Sequence, residues 1–339
     1  MKNVKSNLLE FKGSNFFRQR LILSVLVRSQ FVLPTSDPKA TNQDLQFEIN
    51  LLRLIDKLTN GTVLEVNETG TTLYFQPGML TGGKFDHECC KQRAIGYYFE
   101  AVLAFAPFCK KALEITLRGV TNNKIDPSVD SLKTGALPLL RRFLIIDPGI
   151  DLKIRKRGME PEGGGEIHFH CEKKIKDFGK IKRIRGTAFS LRTHLVLLNF
   201  IPDVFITVDH LKGQNAGKSP GFGASLVAES TAEVFYTADQ VCNIPPELCE
   251  EISRGGCVDS SYQSLVCLWM ALHQKDVSQC LFGPLSPYTI QFLRHLKEFF
   301  GVTFKLEPFV QDDEDDYDLK QGSNKVLVTC VGTGFNKIA

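Results

Sequence analysis

A run of three glycines and two histidines stand together in GMEPEGGGEIHFH, Gly158 to His170. Glycine lets a backbone turn sharply and approach a ligand, because no side chain is in the way. Lys153, Arg155, Lys156 and Arg157 precede the loop. Between Lys173 and Arg185 seven bases face one acid, Asp177. So much positive charge beside a glycine loop suits phosphate, and the RNA backbone in particular. The plainer alternative is a β-turn with solvated lysines beside it, and the spacing leaves both open. The anion-binding candidates here are Arg155, Arg157, Gly163, Gly164, Gly165, Lys180, Lys182, Arg183 and Arg185. Neither nucleotide fingerprint fits. A Walker loop is GxxxxGK[ST] opening a helix, and a dinucleotide loop also leads into a helix, whereas a strand follows these glycines. A second glycine-rich stretch, KGQNAGKSPGFGASLVAE from Lys212, imitates the end of a Walker motif. Pro220 and a strand follow it, which leaves Lys218 as a candidate phosphate contact.

Metal chemistry has less to stand on. His168 and His170 share one face of a strand, since side chains repeat every two residues, but a third ligand is missing. His87, Cys89 and Cys90 in DHECCK look locally like zinc ligands, with no second ligand pair at finger spacing. The ten cysteines form no CxxC pair and sit mostly in apolar surroundings, which fits buried free thiols in a reducing compartment. The expectation is no metal and no cofactor. A net charge of +3 over 339 residues does not by itself argue for nucleic acid, so that case rests on local clusters. The N-terminus has no signal-like apolar core and no run approaches a membrane span, so a soluble, intracellular protein is expected.

The elements that must position these groups are legible from apolar period. Helices are expected over Ser14–Val27, Thr41–Asn60, Gly96–Ala106, Tyr262–His273 and Pro287–Phe300. In the second, Leu45, Ile49, Leu52, Ile55 and Leu58 make the buried stripe, Thr41 with Asp44 resembles a capping box, and Gly61 stops it. A helix starting at Val129 is expected to kink at Pro138. VLEVNE, TLYFQPG, LEITLRGV, LKIRKRG and EIHFHC read as strands, and VTFKLEPF with KVLVTCVG as a closing pair. Strand–glycine–helix recurs, which suggests duplicated α/β units. Short strands dominate from Lys182 to Ile252, the texture of an inserted smaller domain. The acidic run from Asp312 to Asp318 has no apolar face and reads as a solvated loop.

Several pieces together resemble one family. GSNFFRQRLILS, GTTLYFQPGMLTGG, GMEPEGGGE, RIRGTAFS, GKSPGFG and GPLSPYTIQF stand in the order found in the RNA 3′-terminal phosphate cyclase family, and they most resemble its eukaryotic cyclase-like branch. The resemblance implies an α/β (α+β) fold of three repeated units, each a four-stranded sheet with two helices, plus a smaller inserted α/β domain. Residues 1–182 and 253–339 would form the large part and 183–252 the insert. RTHLVLLNF and NIPPELCEEIS look shortened where the family has two good helices in that insert.

The cyclases activate an RNA 3′-phosphate with ATP through a histidine that becomes adenylylated. They carry GEGGGQ with an acid before the first helix; here the segment is KGSNFFRQR, in which Arg18 matches an arginine of the pattern and joins the anion- and RNA-binding candidates. Their nucleophile lies in a context like PLTLHT, and this chain has PLSPYT, so Tyr288 takes the histidine's place. A phenol is a poor nucleophile without a base to activate it. The resemblance therefore implies a cyclase-like protein with no cyclase activity: a nucleolar factor of the small-subunit processome. It would support early pre-ribosomal RNA cleavages and bind pre-ribosomal RNA, a GTPase of that assembly and other processome proteins. The alternative is an active RNA-processing enzyme, a pre-rRNA endonuclease or divergent cyclase. Arg294, His295 and Lys297 in FLRHLKEFF would supply its acid and base, or else form a partner-binding face.

Overall fold

The apolar periods resolve into two sheets of one topology. In this computed structural model the described residues are 8–11, 15–34, 46–67, 72–144, 149–172, 208–209, 211–213, 216–219, 221, 223–229, 234–241, 250–251, 254–309 and 324–335. In the first unit β1 (Leu9–Glu10) runs through α1 (Phe17–Val27) into β2 (Phe31–Pro34), which lies parallel to it. A parallel neighbour needs such a crossover. Helix α2 (Gln46–Leu58) follows, then the short β3 (Thr59–Asn60), then β4 (Val63–Val66) and β5 (Thr72–Gln76). Strand β5 returns between β2 and β4, so the sheet order is β1-β2-β5-β4.

After the short β6 (Met79–Leu80), which pairs with β3, the second unit repeats the pattern. Its elements are β7 (Gly83–Glu88), α3 (Ile95–Phe105), β8 (Leu113–Gly119), a broken helix, β9 (Asp151–Lys156) and β10 (Gly165–Cys171). Again the first two strands are parallel, and the order is β7-β8-β10-β9. The hairpin β11 (Gly223–Glu229) and β12 (Phe235–Val241) comes next. Then α6 (Gln263–Leu272), β13 (Val277–Phe282), α7 (Pro287–Phe300), β14 (Lys305–Pro308) and β15 (Val326–Val331) give a sheet in the order β13-β15-β14. That is the last three strands of the same pattern. Among the described residues the four-stranded unit occurs twice, and the third sheet has three strands.

One apolar cluster runs through all three sheets and carries the fully buried Trp269, Tyr98, Tyr262 and Phe169. Helix α3 is buried on every side, Glu100 included, and its other residues carry no charge. The eight described cysteines are free, and all but Cys90 are buried. Among the described residues no helix is long and apolar enough to cross a membrane.

Three sequence expectations shift. Helix α2 ends at Leu58 and the chain passes directly into β3, so the helix stops short of Asn60. Its buried residues are Leu51, Leu52, Leu54, Ile55 and Leu58, while Ile49 is 46% exposed. At about 100° per residue Ile49 falls roughly opposite the centre of that arc, so it faces away from the core. The helix from Val129 is not regular up to Pro138. It breaks earlier, where α4 (Val129–Ser131) passes through a π-helical turn, Leu132–Ala136, before α5 (Leu137–Phe143). Pro138 sits in the first turn of α5, directly after the π-helical turn. The Thr41–Asp44 box, RTHLVLLNF, most of NIPPELCEEIS, the acidic run 312–318 and most of the insert at 183–252 lie outside the described residues.

The π turn has a packing reason. A Cβ on Gly135 would stand 2.7 Å from the Tyr262 ring and 2.9 Å from the Thr237 methyl. The bare glycine therefore admits β12 and the start of α6 against the second unit. A buried hydroxyl network then ties the three together. The Tyr262 hydroxyl bonds Ser131 Oγ, which donates to Thr237 Oγ1 at 3.0 Å. Asp259 accepts from the Thr237 N–H at 2.8 Å and its hydroxyl at 3.0 Å. Tyr262→Phe should leave a buried hydroxyl short of a partner and cost about 1–3 kcal/mol, read as a lower chemical-denaturation midpoint.

Candidate functional site

The residues that the family resemblance singles out meet where α1, α3 and α7 converge. Helix α7 starts with Ser286 as its N-cap; the Ser286 hydroxyl accepts from the Thr289 N–H at 3.2 Å, and Pro287 occupies the first turn. That start holds Tyr288 over α1. Arg18 Nη2 donates to the Tyr288 hydroxyl at 3.0 Å, and Arg18 Nη1 to the Tyr97 carbonyl at 3.1 Å. The same guanidinium pairs with Glu100 at 2.6 Å, with only 12% and 10% of the two side chains exposed. It also lies over the Tyr97 ring at 4.5 Å. The Tyr288 hydroxyl in turn reaches Glu100 Oε1 at 3.4 Å.

Burial opposes the charge on Arg18, but Glu100 and the Tyr288 phenol more than offset it and Arg18 stays protonated. Burial raises the Glu100 pKa against the pull of Arg18. At Tyr288 burial pushes the phenol up to about 12, Arg18 pulls it down and Glu100 adds to the rise. This phenol is tightly bonded and hard to ionise, the opposite of an activated nucleophile. Beside it Arg93 lies 4.2 Å over the Tyr97 ring and forks onto Asp126, which also accepts from the Ala94 N–H at 2.9 Å ahead of α3. Near Arg93, burial lifts Glu48 to about 7.

Of the late-helix trio, the structure separates His295 from its neighbours. Arg294 and Lys297 are exposed, whereas His295 is 1% exposed and faces α1. Successive helix residues are about 100° apart, so the three cannot share a face. His295's hydrogen bonds fix its tautomer. Gln19 Nε2 donates to the Tyr288 carbonyl at 3.1 Å, so Gln19 Oε1 is the acceptor for His295 Nδ1–H at 3.0 Å. His295 Nε2 then accepts from Gln291 Nε2 at 3.1 Å, and Gln291 Oε1 accepts from Arg294 at 3.2 Å. Burial, with Arg20 adding, lowers the His295 pKa to about 4. The expectation of a histidine placed beside a bound phosphate as acid or base is corrected: the imidazole is neutral and enclosed by two glutamines.

The two glycine-rich stretches, far apart in sequence, pack on each other. Arg157 bridges to Ala216, and the Lys218 N–H donates to the Gly163 carbonyl at 2.8 Å. Ser219 Oγ accepts from the Glu162 N–H at 3.1 Å. A Cβ on Gly217 would lie 2.5 Å from the Arg157 oxygen, the Gly158 Cα and the Gly163 oxygen, and one on Gly165 would lie 2.5 Å from the Thr121 methyl. These glycines therefore serve backbone-to-backbone contact among β8, β10 and the 216–219 segment. Gly164, at φ 84°, turns the chain beside Lys218. Arg157 is bonded to both Asp130 oxygens, at 2.7 and 2.9 Å, and to Asp209 at 2.7 Å. Arg155 and Lys218 are the exposed cations among the described candidates of this loop, with Arg155 3.5 Å from Glu166. Lys180, Lys182, Arg183 and Arg185 lie outside the described residues. His168 stands beside Thr116 and Glu114, and His170 near Glu172, on the outer face of the second sheet.

Sequence reasoning did not find Glu100, Tyr97, Arg93 or Asp126. One signal was present: Glu100 is the lone charge in the apolar helix GYYFEAVLAF, and such a charge must be paired to be buried.

Arg18→Met should leave Glu100 buried without its partner and cost about 3–5 kcal/mol, and Arg18→Met with Glu100→Leu should recover most of it, both read by chemical denaturation. The lowered His295 pKa stabilises the fold fully above about 6.5, and that stability is lost as pH falls toward 4. The wild type should therefore lose stability relative to His295→Gln between pH 6.5 and 4 in melts run across that range.

Comparison with known proteins matches residues 9–306 to the RNA 3′-terminal phosphate cyclase family. The chain is similar to the human RNA 3′-terminal phosphate cyclase-like protein, 48% identical over 99% of this chain and 98% of that one. It is 44% identical to the probable cyclase-like protein of Drosophila melanogaster, over 98% and 97%. It is 33% identical to the rRNA processing protein rcl1 of Schizosaccharomyces pombe, over 97% and 96%. An EPSP synthase structure from Acinetobacter baumannii aligns at 11% identity with a TM-score of 0.26, over 95% of this chain and 47% of that one, too distant to carry an argument.

Proposed function

This chain belongs to the RNA 3′-terminal phosphate cyclase family, and we propose that it acts there as a non-catalytic, cyclase-like factor of rRNA processing. The observation that carries this is the state of Tyr288. At the place where the family resemblance puts a nucleophilic histidine stands a phenol bonded by Arg18 and near Glu100, with its pKa pushed up to about 12. The groups that would have to free it for reaction are the groups that hold it in the fold. The name of the fission-yeast relative supports work on ribosomal RNA. In finer terms, the protein supports early pre-rRNA cleavages within the small-subunit processome, in the nucleolus. It does so by binding pre-rRNA through the basic flank Lys180, Lys182, Arg183 and Arg185, with Arg155 and Lys218, and by binding a GTPase of that assembly. The exposed Arg294 and Lys297 on α7 suit a partner face.

The alternative, an active RNA-processing enzyme built on Arg294, His295 and Lys297, is disfavoured by His295, whose two ring nitrogens are both bonded within the fold.

Incubation with labelled ATP and a 3′-phosphorylated RNA should give no labelled protein and no cyclic phosphate; either product overturns the non-catalytic reading. RNA affinity should fall steeply with added salt, and charge reversal at Lys182, Arg183 and Arg185 should weaken it by about tenfold or more. Salt-independent affinity, or affinity unmoved by that reversal, would remove the RNA-binding role from the basic flank.

A further inference from the structure

A cleft of about 660 Å³ opens between α2 and the end of β7, lined by none of the residues of the Arg18–Tyr288 cluster. One wall is a single stripe of α2. At about 100° per residue, Gln46, Asn50, Arg53 and Lys57 fall within about 60° of arc, on the side opposite the buried leucines. The other wall is His87, Cys90 and Lys91. Arg53 and Lys57 are exposed. Lys57 donates to the Asp86 carbonyl at 2.8 Å, which steadies its ammonium without neutralising it. Lys91 is shared with Glu162 at 2.5 Å in a half-exposed pair, the kind that contributes little. Glu88, the one acid among the lining residues, points to the outer face of the sheet, where its charge acts on Arg118.

The back of the cleft is chemically specific. Asn50 Nδ2 donates to the Glu88 carbonyl at 3.0 Å, and Asn50 Oδ1 accepts from the Cys90 N–H at 3.2 Å. Those two bonds fix which end of the amide is oxygen. Oδ1 also lies 2.9 Å from His87 Nε2, so Nε2 must carry the proton. His87 Nδ1 is then the acceptor of the ring, which is 3% exposed and so is met only at the back of the cleft. Burial, with Lys57 and Arg53 adding, lowers the His87 pKa to about 4, so the ring stays neutral and both cations lie within reach of it.

We infer that this cleft is a ribose–phosphate site for single-stranded RNA. Arg53 and Lys57 take a backbone phosphate, and His87 Nδ1 accepts from an adjacent 2′-hydroxyl. An acidic peptide could meet the cations too, offering the imidazole a backbone N–H, whereas a nucleic acid supplies regularly spaced phosphates, and DNA lacks the 2′-hydroxyl that distinguishes RNA at such a site. The inference rests on the RNA-binding reading above and adds a second place and a chemical preference to it.

The test is fluorescence anisotropy with a single-stranded RNA of about 12 nucleotides, its deoxy counterpart and an oligoglutamate peptide, on the full chain. Wild type should bind the RNA more tightly than the DNA. The exposed charge reversal Arg53→Glu/Lys57→Glu should weaken RNA binding by about tenfold or more with unchanged melting, and His87→Phe should shrink the RNA-over-DNA preference. RNA affinity within about twofold of wild type in the double variant, while reversal at Lys182, Arg183 and Arg185 still weakens it, would overturn the cleft site and leave the RNA-binding reading standing. Wild type that binds neither nucleic acid would overturn both. Oligoglutamate binding that the double variant loses, with RNA binding intact, would overturn the assignment in favour of an acidic protein partner.

Discussion

The ion pair between Arg18 and Glu100 is the constraint around which the centre of this molecule is organised. Two opposite charges buried among helices are tolerated only when each is closely bonded, because desolvation costs several kcal/mol per ion. Here Arg18 meets that demand with a carboxylate, a phenol, a carbonyl and an aromatic face at once. Those partners come from α3 and α7, so satisfying one guanidinium sets three helices against each other. Gln19, the next residue on α1, extends the same contact to Tyr288 and His295. The cluster is a place of attachment between units.

The same arrangement is what supports the proposed non-catalytic role. A nucleophile needs a free lone pair and a base able to take its proton. Tyr288 has its oxygen held by Arg18, and among the described residues the carboxylate bonded to it is Arg18's own partner. His295, the nearest imidazole on α7, is turned to the core with both nitrogens in use. Polar groups remain available elsewhere, on the α2 face around His87 and on the rim of the glycine loop, where charge meets solvent rather than a buried partner.

Much of the fold was legible because its signals are local. Apolar period marked α1, α2, α3, α6 and α7 to within a few residues, and the recurring strand–glycine–helix step marked the repeated unit. The inward Ile49 expected on α2 failed because a stripe at spacing three and four fits two adjacent arcs, and the neighbouring units decide which is buried. The break at Leu132–Ala136 was invisible because its cause, the close approach of Tyr262 and Thr237 to Gly135, lies over a hundred positions away in sequence. The site was half legible. Arg18 and Tyr288 stood out through motif context, Arg18 as an anion binder where the structure pairs it with Glu100, and Lys218 and the triple glycine stood out through composition. That the two glycine stretches would press on each other, and that Glu100 would be Arg18's partner, depends on long-range pairing that no window of sequence contains.

The protonation state of Tyr288 bears most directly on whether this centre holds the fold together or reacts. Carbon-13 labelling of the tyrosine ring, with Tyr288→Phe to assign its signal, would follow that phenol by NMR as pH rises. A phenol clamped by Arg18 beside buried Glu100 should remain protonated past the ordinary value near 10 and ionise only near 12. Ionisation below 10 would mean an activated phenol, and would contradict a centre built for attachment rather than catalysis.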